Sequence, residues 1–183
     1  MKKKALWVVA SGLVAIAIVA SSAGAGTPGG RVFFQDNTRR TIPDAPDGGG
    51  VLGKIKVRRS GQIRDLEVGI RIDHTFDADL NIYLVSPKGK FVELSTDNGG
   101  SGNNYGTGPN SCRGPGSFTV FDDEAGRSIR GGSAPFAGAF VPQTPLRALD
   151  GSTIRGTWRL MVFDDDRGST GTIGCFAIGA ILR

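Results

Sequence analysis

Eight of the 17 carboxylates in this 183-residue chain fall in three short runs. They are Asp77 and Asp79; Asp122, Asp123 and Glu124; and Asp164, Asp165 and Asp166. Asp97 is a further acid in a loop between the first two runs. Each run touches the end of an apolar, strand-like stretch. Converging carboxylates repel one another, and a hard cation is the usual remedy. Calcium accepts six to eight oxygens at about 2.3–2.6 Å, backbone carbonyls included, from flexible loops. Gly-rich surroundings let such carbonyls turn inward. The competing reading is that Asp favours turns and stays solvated there. No D-x-D-x-D-G loop of the EF-hand kind is present, so a cation site depends on the runs meeting at one edge of the fold.

Hydrolytic chemistry has less to work with. His74 is the single His, so any His-dependent triad must use it. It ends an alternating stretch, where ring nitrogens bonded to nearby backbone or acids are the expectation. No G-x-S-x-G nucleophile elbow exists, and Gly100-Ser101-Gly102 reads as linker. Two acids alone meet the minimum for a carboxylate-pair hydrolase, yet no substrate cleft is evident. Autonomous catalysis is not expected.

The elements that would position these groups read as strands. From Ile63 to Asp73, Leu66, Val68, Ile70 and Ile72 face one way, and Glu67, Gly69, Arg71 and Asp73 the other. Leu80, Ile82 and Leu84 continue a core face, and Ser86-Pro87-Lys88-Gly89 is a turn with Pro at its second position. Further strands are expected at 51–57, 91–94, 118–121, 156–163 and 173–182, with a short one at 31–34. Residues 96–116 form a polar loop dense in Gly, Asn and Ser, and residues 126–148 read as irregular. No 12-residue segment has helical periodicity. Short strands punctuated by turns predict an all-β, two-sheet antiparallel sandwich. Trp158 is expected to anchor its core, and Phe33 and Phe34 to pack onto it. Tyr83 and Tyr105 are too few for an aromatic binding platform.

The first residues belong to targeting. Lys2, Lys3 and Lys4 precede an apolar run from Ala5 to Ala20, and Ala23-Gly24-Ala25 is a small-residue cleavage site. Residues 1–25 read as a secretory signal, and no second apolar run follows to hold the mature chain in a membrane. The signal holds three Lys and no acid, so its removal leaves 19 basic against 17 acidic residues, a net +2. The basic balance of +5 is then partly a targeting feature, and nucleic-acid binding loses its support. The remaining 158 residues suit one domain. Residues 26–40 read as a leader, in which Arg39-Arg40 is either a dibasic processing site or two solvated Arg. Cys112 and Cys175 are the only cysteines, and in an exported protein an even pair favours one disulfide.

Several pieces in order resemble the P domain, or Homo B domain, of proprotein convertases such as kexin and furin and of secreted bacterial proteases. They are Thr41-Ile42-Pro43-Asp44; His74-Thr75-Phe76 with Asp79-Leu80; Leu84-Val85-Ser86-Pro87-Lys88-Gly89; Phe121-Asp122-Asp123-Glu124-Ala125; Ala134-Pro135-Phe136; Gly156-Thr157-Trp158; and Asp164 through Gly171. The resemblance covers about residues 41–182 and implies a domain over 41–183 with a jelly-roll-like β-sandwich fold. It implies a module associated with subtilisin-like serine endopeptidases, without catalysis of its own, that supports a protease's folding and stability. It also implies calcium, with Asp77, Asp79, Asp122, Asp123, Glu124, Asp164 and Asp166 as candidate ligands. The chain departs from the pattern in three ways. A signal leads almost directly into the module, Ser169 stands where an acid is usual, and the loop carrying Cys112 is longer. The expectation is a secreted or periplasmic protein whose partner is a separately encoded protease. The alternative is an extracellular adhesion or glycan-binding sandwich, which needs Trp158 or Tyr105 exposed.

Overall fold

The computed structural model describes residues 30–45 and 49–183. The signal reading of residues 1–25 lies outside them. Ten strands run in chain order: β1 (Arg31–Asp36), β2 (Arg40–Ile42), β3 (Val51–Val57), β4 (Ile63–His74), β5 (Leu80–Val85), β6 (Phe91–Thr96), β7 (Thr119–Phe121), β8 (Gly138–Phe140), β9 (Gly156–Asp164) and β10 (Gly171–Leu182). Single 3-10 turns sit at Asp77–Asp79, Ile129–Gly131 and Leu146–Leu149. The strands form two sheets. One has the order β1-β10-β4-β7-β8, with β2 also paired to β10; the other has the order β3-β9-β5-β6. All ladders are antiparallel except β7 with β8. No described helix is long and apolar enough to cross a membrane.

The alternation in the sequence becomes the core. Leu66, Val68, Ile70 and Ile72 of β4 and Phe176, Ile178, Ala180 and Leu182 of β10 meet Leu80, Ile82, Leu84, Trp158, Leu160 and Val162 from the facing sheet. Trp158 is fully buried, and its indole N–H donates to the Ile154 carbonyl at 2.8 Å, so its one polar atom is satisfied. The turn after β5 closes as expected, with the Gly89 N–H donating to the Ser86 carbonyl at 2.9 Å.

Three readings of the sequence change. The expected leader is not separate from the domain, because β1 pairs along its whole length with β10, from Arg31 opposite Ile181 to Asp36 opposite Phe176. Arg40 lies in β2 opposite Ile173 and pairs with Asp36 at 2.8 Å, while Arg39 stays exposed just before the strand, so only one of the two Arg is solvated. Arg71, expected on a solvent face, is only 2% exposed, because the long loop folds over it. Its guanidinium donates to the carbonyls of Pro109, Ser111 and Pro115 at 2.8, 3.1 and 3.3 Å and lies 4.4 Å from the centre of the Phe118 ring. The Cys112–Cys175 disulfide pins the same loop to β10, and burial pulls the Arg71 pKa down.

Candidate functional site

One end of the sandwich gathers the chain around His74. β4 ends there, opposite Gly171, and the 3-10 turn Asp77–Asp79 leads into β5, whose Leu80 lies opposite Asp164. The backbone of the acidic turn is tied to this point, since Asp165 N–H donates to the Asp79 carbonyl at 2.9 Å. Thr170 N–H donates to the Thr75 hydroxyl at 3.0 Å, and Gly168 N–H to the Asp44 carboxylate at 3.1 Å. The loop after β6 is laced on as well. Asp77 and Ala78 donate their N–H groups to the Gly102 and Gly100 carbonyls, and His74 N–H donates to the Asn104 side-chain oxygen. Gly171 has a steric reason, because a Cβ there would run into the His74 ring.

The His74 side chain is fully buried and both ring nitrogens are committed. Nδ1 lies 2.8 Å from the Phe76 carbonyl and 3.3 Å from the Phe76 N–H, so it meets backbone in either tautomer. Nε2 lies 3.0 Å from Asp164 Oδ2. In a hydrolytic triad one nitrogen holds the acid and the other faces the nucleophile. Here the second nitrogen faces backbone, and no nitrogen is left to act as a base. Burial pushes the Asp164 carboxyl up, opposed by its hydrogen bond to His74.

Asp77 has a buried carboxylate oxygen, Oδ2, without a partner. Its Oδ1 accepts the Asn104 N–H at 2.8 Å. Burial pushes its pKa up to about 7, against that backbone hydrogen bond. Asp79 is 8% exposed and its charge reaches Asp164. Asp166 is exposed, its carboxylate accepting Arg167 N–H at 2.8 Å. An open cleft of ≈ 460 Å³ lies outside the turn, lined among others by Pro43, Asn81, Tyr83, Phe163, Asp164 and Asp165.

The second acidic run does not join this end. β7 pairs antiparallel with β4, Thr119 opposite Ile70 and Phe121 opposite Val68, so Asp122, Asp123 and Glu124 emerge beside Asp65, at the other end of β4. Asp123 caps the 3-10 turn Leu146–Leu149, accepting the Leu146 and Arg147 N–H groups, both at 2.8 Å. A hydrogen bond to Asp122, then burial, then the charge of Asp65 push Glu124 up. The three runs therefore occupy two ends, and the sequence offered no local sign of that split. Among the described residues, no three His, Cys, Asp or Glu side chains are grouped as a metal site.

Trp158 and Tyr105 are 0% and 1% exposed, so the two aromatics that glycan stacking would use are inside the core. Tyr105 stacks on Phe136 at 4.7 Å, and its hydroxyl lies 3.0 Å from the Ser95 hydroxyl. Fold and site together define a β-sandwich module whose one His is a structural link.

Residues 63–111 match the proprotein convertase P-domain family, the resemblance already carried by the ordered motifs. Over 69 residues the chain is 44% identical to a transglutaminase-activating metalloprotease of Streptomyces mobaraensis, a stretch covering 37% of this chain and 9% of that protein. Among solved structures, the serine protease of Aeromonas sobria matches with a TM-score of 0.53 and 16% identity, over 88% of this chain and 28% of that one. The same protease in complex with its chaperone matches with a TM-score of 0.53 and 15% identity, over 86% and 27%. The chain thus spans well under a third of each of these relatives, and the two structures share its fold. The matched family is that of the proprotein convertase P-domain, and each of these relatives is a protease.

Proposed function

We propose that this protein is a secreted, calcium-stabilised P-domain module that acts without catalysis of its own as a binding and stabilising partner of an exported peptidase. The observation that carries the reading is the P-domain match over β4, β5, β6 and the start of the loop after β6, joined to a His74 that has no free ring nitrogen. The signal-like N-terminus and the Cys112–Cys175 disulfide support an oxidising compartment, outside the cell or in a periplasm. The proposed domain boundary moves to include β1, since that strand belongs to the sheet.

Calcium is proposed at the His74 end only. Asp77 would supply the first ligand; the carboxylates of Asp79, Asp164 and Asp166 are not grouped around it as a ready-made site and would have to draw in on binding. The support is the buried Asp77 Oδ2, which has no partner, beside a turn rich in carbonyls and carboxylates. Asp122, Asp123 and Glu124 stand outside this site, because they lie at the opposite end and Asp123 is occupied as a cap. A bound cation would neutralise the acids and hold the turn and the loop after β6 in place.

The partnership is tested by immobilising the mature protein and identifying what it retains from the culture fluid of its source. A retained peptidase whose thermal stability rises on adding the purified module is the expected result. Failure of every exported peptidase to bind would remove the partnership.

A further inference from the structure

The two outer faces of the sandwich are treated differently by the chain. The outer face of the β10–β4 sheet is covered by the chain's own loop. Cys112 and Phe118 pack there on Cys175 and Ala177, and Arg71 fastens the loop backbone. The outer face of the other sheet is different. Leu52, Met161 and Tyr83 lie side by side across β3, β9 and β5, each half-buried. The next row is Lys54, Arg159 and Val85, and below it Lys56 stands opposite Thr157. Phe163 and Tyr83 meet edge to face at 6.3 Å. β9 is therefore apolar inward at Trp158, Leu160 and Val162 and apolar outward at Met161 and Phe163. An antiparallel sheet with one solvated face alternates apolar and polar, whereas strands apolar on both faces belong to sheets covered on both sides.

We propose that this face, centred on Leu52, Met161 and Tyr83 and bordered by Lys54, Lys56 and Arg159, docks a folded protein through an apolar patch ringed by carboxylates. The charge argument selects the occupant. Lys54 and Lys56 are exposed, Arg58 and Arg59 follow in the adjoining loop, and Arg155 precedes β9. Among the described residues, none of these cations forms an ion pair. The acid of β6 on this face, Glu93, already accepts from Gln143 Nε2 at 2.9 Å. A second copy seated by a twofold axis would bring together two faces bordered by Lys54, Lys56 and Arg159, like charge against like. A flexible polyanion would satisfy the cations and leave the Leu52–Met161–Tyr83 row in water. An acidic, apolar-centred protein surface satisfies both. That this partner is a peptidase rests on the proposed function; the docking face does not.

The test uses the mature protein, Met161→Glu, and the double charge reversal Lys54→Glu with Arg159→Glu, each checked for native melting and near-UV circular dichroism. The first probe is anilinonaphthalene sulfonate, an apolar anion. Saturable binding by the wild type, weakened about tenfold in each variant, is expected. The second probe is the set of exported proteins of the source, captured, identified, purified and titrated singly. An acidic protein should bind, with about tenfold loss in both variants and strong salt dependence. A peptidase that binds both variants as tightly as the wild type overturns the docking face and leaves the proposed function standing. A non-peptidase weakened by both keeps the face and counts against the proposed function. A dimer in sedimentation equilibrium that Met161→Glu dissolves overturns the proposal in favour of self-association. Polyglutamate binding lost on charge reversal but kept by Met161→Glu overturns it in favour of a polyanion, and so does capture of nothing.

Discussion

The buried carboxylate of Asp77 makes the stability of this protein depend on pH in a direction opposite to that of most acids. Its pKa in the fold is about 7, raised by burial from 3.8. A raised acid binds more protons folded than unfolded between those two values, so stability falls as pH rises through that window. At about 1.4 kcal/mol per unit, the loss between pH 5 and pH 8 is on the order of 2–3 kcal/mol, and about 2 after screening by nearby solvent. For a domain of this size that is about 4–8 °C in melting temperature. Asp77→Asn keeps an oxygen for the Asn104 N–H and removes the titration. In chelator, the melting temperature of the wild type should fall by that amount from pH 5 to pH 8 relative to the variant. Added calcium, which needs the ionised form, should restore the wild type at pH 8 and leave Asp77→Asn where it was. Parallel pH profiles of the two proteins would refute the assignment of a buried, titrating Asp77. Profiles that diverge as expected but ignore calcium would remove the cation and keep the pH argument.

Replacing both Cys112 and Cys175 with Ser opens a crosslink spanning 63 residues, and should cost about 4 kcal/mol in denaturant titration. Arg71→Met removes the donor to three loop carbonyls; a loss of about 2–3 kcal/mol is expected, with residues 107–117 gaining hydrogen exchange while the disulfide stays intact. Trp158→Ala empties the centre of the core and should cost about 3–5 kcal/mol in denaturant titration. His74→Ala strips the hydrogen-bond partner from the buried Asp164 carboxylate and should lower the melting temperature, and neither protein should cleave a peptide library.

Much of the fold was legible because strand alternation is a local property. The period-2 pattern of residues 63–73 placed four inward residues of β4, and the strand expected at 173–182 is β10. The turn at Ser86–Gly89 was legible from its Pro and Gly. What escaped was set by pairing between distant strands. The three-residue strands β2 and β8 are too short to carry a period, and each exists through its neighbour. Arg71 reads as solvent-facing in its own strand, and only the fold of the loop 40 residues later buries it. The acids were visible as turn residues and their types suggested a cation. Their division between two ends follows from the direction of β7 beside β4, which no short window contains. The His74–Asp164 contact joins residues 90 apart, and the sequence supplied only the expectation that the ring would find some local partner.

The position of β10 has a consequence for how the protein is made. It lies inside its sheet, with β4 along one edge and β1 and β2 along the other, yet it is the last strand of the sandwich to leave the ribosome. Until residues 171–182 arrive, the twelve-residue edge of β4 has no partner, β1 has none either, and Cys112 has no Cys175 to meet. Pairing across such sequence separations is slow. These pairings, and the Cys112–Cys175 bond, must therefore wait until synthesis has passed Leu182. The sandwich then closes from its newest strand outward, with the disulfide among the last bonds to form.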